Sequence, residues 1–295
     1  MHRFVIGILI SIMAMCCLHP AFATDDNALF WAIESEQGHA GYLLGTIHSE
    51  DPRVLEFTQE FLSALNSSSS FAMELVPNLL TLNRLAETMH LPAGTGLASV
   101  IGDDRFGAVV AALDSYGVPR SHVARMKPWA AMMTLSIPPP KTGFFMDFSL
   151  SLRASGNGLK VIGLETLDEQ LAFLENMPLE HQLVMLDQAV AEIGQVQAMH
   201  ERLVTIYLGG DLGALQAETV AQLSTLGEAA REFFLAEGIN ARNHRMLASL
   251  IEAMRSGSVF TAVGALHLPG DQGLISLLRQ KGFRLRPMPM PFPER

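Results

Sequence analysis

The sequence predicts an α/β fold: a small central mixed sheet, opened and closed by strands that end in Gly-x-x-His, with a large helical insertion between them. The first observation behind this is a repeated motif, Tyr42-Leu43-Leu44-Gly45-Thr46-Ile47-His48 near the start and Phe260-Thr261-Ala262-Val263-Gly264-Ala265-Leu266-His267 near the end. Each is an apolar strand that delivers an imidazole at its C-terminal tip, with a glycine three residues earlier where another group must approach closely. If the two strands are parallel neighbours, both tips face one crevice. The second observation is the intervening chain, whose apolar residues recur at spacings of three and four between proline and glycine breaks. Nothing else recurs at a fixed period, so residues 24–295 read as one continuous domain.

Residues 28–35 and 40–47 read as a hairpin around Glu36-Gln37-Gly38-His39. A polar loop at 49–53 precedes a helical pattern through Leu55, Phe61, Leu62 and Leu65, and a serine run at 67–70 leads into Phe71-Ala72-Met73-Glu74-Leu75, a short strand that contains Glu74. Residues 77–90, 104–115 and 128–137 are helical, punctuated by Pro92, Gly117-Val118-Pro119 and Pro138-Pro139-Pro140. A helix at 146–154 is followed by a β-rich stretch at 159–164 that stops at Glu165. Residues 178–207 read as one long helix ending at Gly209-Gly210, then 212–223 and 228–254 as two more, with a short helix at 271–280 and a last strand at 283–288. About six strands and eight or nine helices result.

Composition narrows the chemistry. Met1-His2-Arg3, an apolar run from Phe4 to Leu18, and Ala21-Phe22-Ala23 describe a secretory signal peptide over residues 1–23, which implies a periplasmic or secreted protein. Both cysteines, Cys16 and Cys17, fall inside it, so the mature chain has no thiol for disulfides, thiolate metal sites or a cysteine nucleophile. The net charge of −10 argues against nucleic acid or anionic lipid as a partner. No later stretch reaches about 18 apolar residues, so no membrane span is expected after cleavage. The expected partner is a peptide or small-molecule substrate.

Several apolar strands end in ionisable groups: His48, Glu74, Glu165 and His267. Burying these without partners is costly, which favours their convergence on one edge of the sheet. Two imidazoles and one or two carboxylates match a divalent metal with open positions, such as manganese, iron, cobalt or zinc. A spare carboxylate could then take a proton from an activated water. On spacing alone, Asn240-Ala241-Arg242-Asn243-His244-Arg245 reads as a solvated polar face. Glu165 suits a helix cap, Asp147 suits the first turn of a helix, and Lys127-Pro128-Trp129 is ordinary helix initiation. His39, His90, His122, His181 and His200 fall on turns or exposed helix positions. Gly-x-Ser-x-Gly, Gly-x-Gly-x-x-Gly, P-loop and His-Glu-x-x-His patterns are all missing from the sequence.

The string Leu43-Leu44-Gly45-Thr46-Ile47-His48 resembles the opening signature of the TraB/GumN family, which includes the Tiki-type metalloproteases of animals. Met73-Glu74-Leu75, Lys127-Pro128-Trp129, Met146-Asp147, Gly163-Leu164-Glu165-Thr166, Glu169-Gln170, Arg242-Asn243 and Val263-Gly264-Ala265-Leu266-His267-Leu268-Pro269-Gly270 follow in the family's order. The resemblance implies a fold similar to erythromycin-esterase-like and haem-binding ChaN-like proteins. It also implies a peptidase dependent on manganese or cobalt, with His48, Glu74 and His267 at its centre and Arg242 and Asn243 in support. Tiki-type members are membrane-anchored, so no substrate is carried over.

The expected roles are therefore His48, Glu74 and His267 as metal ligands, with Glu74 also a candidate general base. Arg242 is expected to steady substrate or oxyanion charge, Glu165 to orient an imidazole, and Asn243 and Asp147 to contact substrate. The alternatives are a metal-free esterase-like hydrolase using a His–Glu pair, and a non-catalytic haem- or peptide-binding protein.

Overall fold

The computed structural model describes residues 27–36, 38–224 and 226–293, so the expected signal peptide lies outside the described residues. Strands β1 (Phe30–Ser35), β2 (Gly38–Thr46), β3 (Ser70–Met73), β4 (Lys160–Gly163), β5 (Val259–Gly264) and β6 (Arg284–Pro287) form one six-stranded sheet in the order β4-β3-β5-β2-β1-β6. β1 pairs antiparallel with β2 and with β6, while β2–β5, β5–β3 and β3–β4 are parallel. The sheet is mixed, as the sequence predicts, and its parallel strands finish on one edge. The two Gly-x-x-His strands are immediate neighbours. Val259 to Val263 are all buried, as expected of a parallel strand covered on both faces.

The rings of Phe30, Phe61, Phe71 and Phe260 pack at centroid separations of 5.2–6.1 Å beside fully buried Trp31, Leu43 and Leu44. The helical insertion has a second core of its own, built from Leu97, Phe106, Leu113, Trp129, Leu135 and Leu186. Large apolar side chains contribute about 1.5–3 kcal/mol each when fully buried, so each region carries its own source of stability. Within this second core, Lys127-Pro128-Trp129 does more than initiate a helix: it is tied to the C-terminal end of the helix Leu167–Glu175. Lys127 Nζ and Trp129 Nε1 both donate to Glu175, at 2.7 and 2.9 Å.

Two expected helices divide, and a third changes type along its length. The 178–207 stretch becomes Leu179–Ala191 and Val196–Leu208, separated around Gly194, where a helix interior loses about 1 kcal/mol relative to alanine. The pattern through Leu55 and Leu65 becomes Pro52–Leu55 and Gln59–Asn66, the second capped by Thr58, whose Oγ1 accepts from the Phe61 N–H at 3.3 Å. The 228–254 stretch stays helical throughout but changes type: Glu228–Phe233 passes through a π-helical stretch, Phe234–Asn240, into Ala241–Met254. Such π turns disturb the regular ladder and concentrate near functional groups. Among the described residues no helix is long and apolar enough to cross a membrane.

Candidate functional site

The parallel edge places the predicted groups on adjacent strand tips. Pairing between β3 and β4 continues past both strands, with Leu164 N–H donating to Met73 O at 2.8 Å and Glu165 N–H to Glu74 O at 2.9 Å. Glu74 is therefore the first residue beyond β3 rather than a residue inside the strand, and Glu165 follows on the neighbouring tip. Thr166 caps the next helix, Leu167–Glu175, in a reciprocal capping box with Glu169. That leaves the Glu165 side chain free to turn inward.

Arg242 joins the two carboxylates. Its Nη2 donates to Glu74 Oε2 and Glu165 Oε2, both at 2.6 Å, and its Nε donates to the two Glu165 oxygens at 3.0 and 3.2 Å. Side-chain exposure is 0% for Glu165, 11% for Arg242 and 23% for Glu74, so the network is well shielded from water. Burial works against the charge on Arg242, but the flanking carboxylates outweigh it and raise its pKa. Burial likewise pushes Glu165 up, opposed by Arg242. For Glu74 the burial cost is overcome by His267, Arg242 and the Gly264 N–H, which hold it down to about 2. Arg242 is engaged with carboxylates rather than turned to a substrate, and Glu165 meets Arg242 and Arg245 rather than an imidazole. In this arrangement Arg242 fixes Glu74 and favours its ionised form, while Glu165 holds Arg242 in place.

Glu74 Oε1 accepts the Gly264 N–H at 2.7 Å, and Gln170 Nε2 donates to Oε2 at 3.3 Å. A Cβ on Gly264 would stand 3.2 Å from Glu74 Oε1, so the glycine of the second motif makes room for the carboxylate. The glycine of the first motif serves a different neighbour: a Cβ on Gly45 would lie 3.0 Å from Ala265 Cα.

His267 closes a 3₁₀ turn, Ala265–His267, and is 4% exposed. Asn243 is fully buried, and its Nδ2 donates to Gln272 O at 2.7 Å. That bond fixes which way the amide faces, so Asn243 Oδ1 is the acceptor for His267 Nδ1 at 2.6 Å. Nδ1 then carries the proton and Nε2 is bare, 3.7 Å from Glu74 Oε1. Burial holds the His267 pKa down to about 4, with Glu74 acting against that and Arg242 with it. At neutral pH a nitrogen lone pair thus faces a carboxylate oxygen. This pair attracts a cation, or a water with two protons to give.

Asn243 overturns the solvated-face reading of 240–245. It lies on one stripe with the buried Met246, Leu247 and Leu250, at spacings of three, four and seven. The sequence carried that signal.

His48 has different surroundings. Its side chain is 57% exposed, its ring stacks on Phe145 at 3.8 Å, and Nδ1 stands 3.6 Å from Asp147 Oδ2. Asp147 also accepts a short hydrogen bond from Thr46 Oγ1 and lies in the first turn of the helix Met146–Gly156, where a carboxylate suits the dipole. Tyr207 OH donates to Gly45 O at 2.7 Å, pinning the end of β2. His200, expected on an exposed helix position, is half-buried with Nε2 3.0 Å from Ser49 Oγ, and burial lowers its pKa. It shares a stripe with buried Val204 and Tyr207, which is the signal that places it inward.

The structure thus gathers Glu74, Glu165, Arg242, Asn243 and His267 in one cluster, and His48 with Asp147 in another. Among the described residues no group of three or more His, Cys, Asp or Glu side chains is spaced to hold a metal ion. Two oriented donors, Glu74 Oε1 and His267 Nε2, fit part of a metal seat.

A family model described as the TraB/PrgY/gumN family matches residues 29–287. The chain is 24% identical over 318 aligned positions to metalloprotease TIKI1 of Danio rerio, covering 90% of this chain and 64% of that protein. To metalloprotease TIKI2 of Xenopus tropicalis it is 25% identical over 326 positions, covering 92% and 62%. The chain spans less than two thirds of the length of these curated relatives. No solved structure matches. With the match running from the first strand to the last, the chain belongs to the TraB/PrgY/gumN family.

Proposed function

We propose that this protein is an exported, metal-assisted hydrolase acting on peptide bonds, with the Glu74–His267 pair at its centre. The observation that carries the reading is the bare His267 Nε2 facing the ionised Glu74 Oε1 at 3.7 Å. The relatives' description as metalloproteases supports it. Glu74 and His267 would hold a divalent cation (manganese, cobalt or zinc), and His48 from the adjacent strand tip would be a third donor. Such a cation supplies Lewis acidity towards water and a substrate carbonyl. Asn243 keeps the His267 proton on Nδ1, as a partner behind a ligating imidazole does. Arg242 keeps Glu74 ionised and so able to accept a proton. Asp147, 27% exposed beside His48, would meet a donor on a substrate. The signal-peptide reading supports export, and N-terminal sequencing of native protein should begin near Thr24.

The test is turnover of periplasmic peptide mixtures with manganese, cobalt or zinc added, for wild type, Glu74→Gln and His267→Ala. Glu74→Gln should remain folded and lose at least about a hundredfold in rate. Ligand binding with no turnover under any metal would replace the enzyme with a haem- or peptide-binding protein. A second reading is favoured by the count of gathered donors, two rather than three: Glu74 and His267 activate water directly, without metal. Activity undiminished by exhaustive chelation would select it.

A further inference from the structure

The chain leaving β2 after His48 grips a second loop. Glu50 turns its carboxylate towards the backbone of residues 141–143. Lys141 N–H donates to Oε2 at 2.7 Å, Thr142 N–H to Oε1 and Oε2 at 3.0 and 3.2 Å, and Gly143 N–H makes a short bond to Oε1. Thr142 Oγ1 adds a fourth donor at 3.1 Å. Gly143 has a φ of +77°, a left-handed turn that lets successive N–H groups converge on one anion. Pro138-Pro139-Pro140 just before it carry no N–H, so the first donors the loop can offer are those Glu50 takes.

Residues 139–144 are exposed, so little packing holds this loop and the Glu50 bonds are its anchor. The groups that surround His48 follow directly. Phe145 stacks on the His48 ring at 3.8 Å and 15°, and Asp147 Oδ2 stands 3.6 Å from His48 Nδ1. The far side of the same segment is tied to β2 and its exit by Met146 N–H to Ser49 O at 3.0 Å and by Thr46 Oγ1 to Asp147. His48 thus lies between two sets of ties, and Glu50 supplies the one on the loop side. A glutamate suits that place: its carboxylate only accepts, and it can take four donors at once. A glutamine would turn an NH₂ towards N–H groups.

We propose that Glu50 is a positioning residue for His48: by clamping residues 141–143 it sets Phe145 over the ring and Asp147 beside Nδ1. The clamp fixes the plane of the imidazole and leaves Nε2 as its open nitrogen. The inference rests on the reading of His48 as a third donor beside Glu74 and His267, because a ligating imidazole has to be held in one orientation by groups behind it. Glu50 itself touches neither metal nor substrate in this scheme; it acts through the loop.

The test is NMR of the histidine rings in the folded chain at pH 7, with amide hydrogen exchange and a zinc titration. Stacking on Phe145 should shift the His48 ring protons upfield, and Phe145→Ala should remove that shift. Glu50→Gln should remove most of it as well and speed exchange of the Lys141, Thr142 and Gly143 amides at least about tenfold. It should also weaken zinc binding by about tenfold or more. The zinc-free His267 resonances and the melting temperature should stay close to wild type. Thr142→Ala, which removes one donor and leaves the three backbone N–H groups, should keep the shift. A His48 shift unchanged in Glu50→Gln, or one lost together with the His267 resonances and the melting temperature, would overturn the proposal. So would zinc that moves His48 in wild type yet binds Glu50→Gln equally well. Zinc that binds wild type without moving His48 would sink the third-donor reading instead, and the ring shift would still decide whether Glu50 positions His48.

Discussion

The two Gly-x-x-His tips stand on neighbouring parallel strands and end in opposite circumstances. Gly45 pairs with Val263 and Thr46 with Gly264, so the motifs are offset by one residue. Because side chains alternate along a strand, that single step points the two glycines to opposite faces of the sheet. Gly264 opens space for Glu74, while Gly45 opens space for the backbone at Ala265. His267 is buried, fixed by Asn243 and aimed at a carboxylate; His48 is exposed and stacked on Phe145. A repeated motif thus delivers two histidines to one edge, and the register and the following turn decide what each can do.

The largest expected difference between the tips lies in the charges behind them. Arg242→Ala strands Glu165, whose side chain has no exposure, and should cost about 3–5 kcal/mol in chemical denaturation. His48→Ala removes an exposed ring and should change stability by no more than about 0.5 kcal/mol. Equal losses would erase the distinction.

Acid should act next, through the buried tip. Between pH 6.5 and about 4 the unfolded chain protonates the His267 imidazole while the folded chain keeps it neutral. Glu74 behaves likewise between pH 4.5 and about 2. Both depressed values mean that stability is present above the unfolded pKa and lost as pH falls. Glu165, raised by burial, works in the opposite sense above pH 4.5. His267 alone accounts for up to about 3 kcal/mol, so His267→Gln should flatten the decline in stability from pH 7 to 4. Asn243→Asp, by placing a carboxylate on Nδ1, should raise the His267 pKa. An unchanged decline in His267→Gln would remove the histidine from this account.

The glycines give the smallest and most local contrast. Each alanine substitution forces a contact of 3.0–3.2 Å and should cost about 1–3 kcal/mol. Gly45→Ala presses on backbone and should show chiefly in stability. Gly264→Ala presses on the Glu74 carboxylate and should show in metal affinity or turnover as well. Identical profiles for the two would mean that the glycines serve packing alone.

Much of this was legible in the sequence. Apolar runs ending at Gly45 and Gly264 announced strands with a close neighbour at the tip, and carboxylates following β3 and β4 announced a polar edge. The inward faces of Asn243 and His200 were written in their helical stripes, though polar neighbours masked them. Other features depend on contacts distant in the chain. The one-residue offset between β2 and β5 is set by packing across more than 200 residues, so motif spacing cannot reveal it. The π-helical stretch at Phe234–Asn240 has no composition of its own, and Arg242 reads as a solvated cation until Glu74 and Glu165 are brought to it by strand order.

His267 presents a bare Nε2 to Glu74 while its Nδ1 is held by Asn243, and this arrangement can be read directly. It is tested most directly by ¹⁵N NMR of histidine-labelled protein at pH 7, before and after adding zinc. The spectrum should show a neutral His267 protonated at Nδ1, whose Nε2 resonance moves on zinc addition and does not move in Glu74→Gln. A His267 protonated at Nε2, or zinc uptake that shifts His48 and leaves His267 untouched, would contradict it.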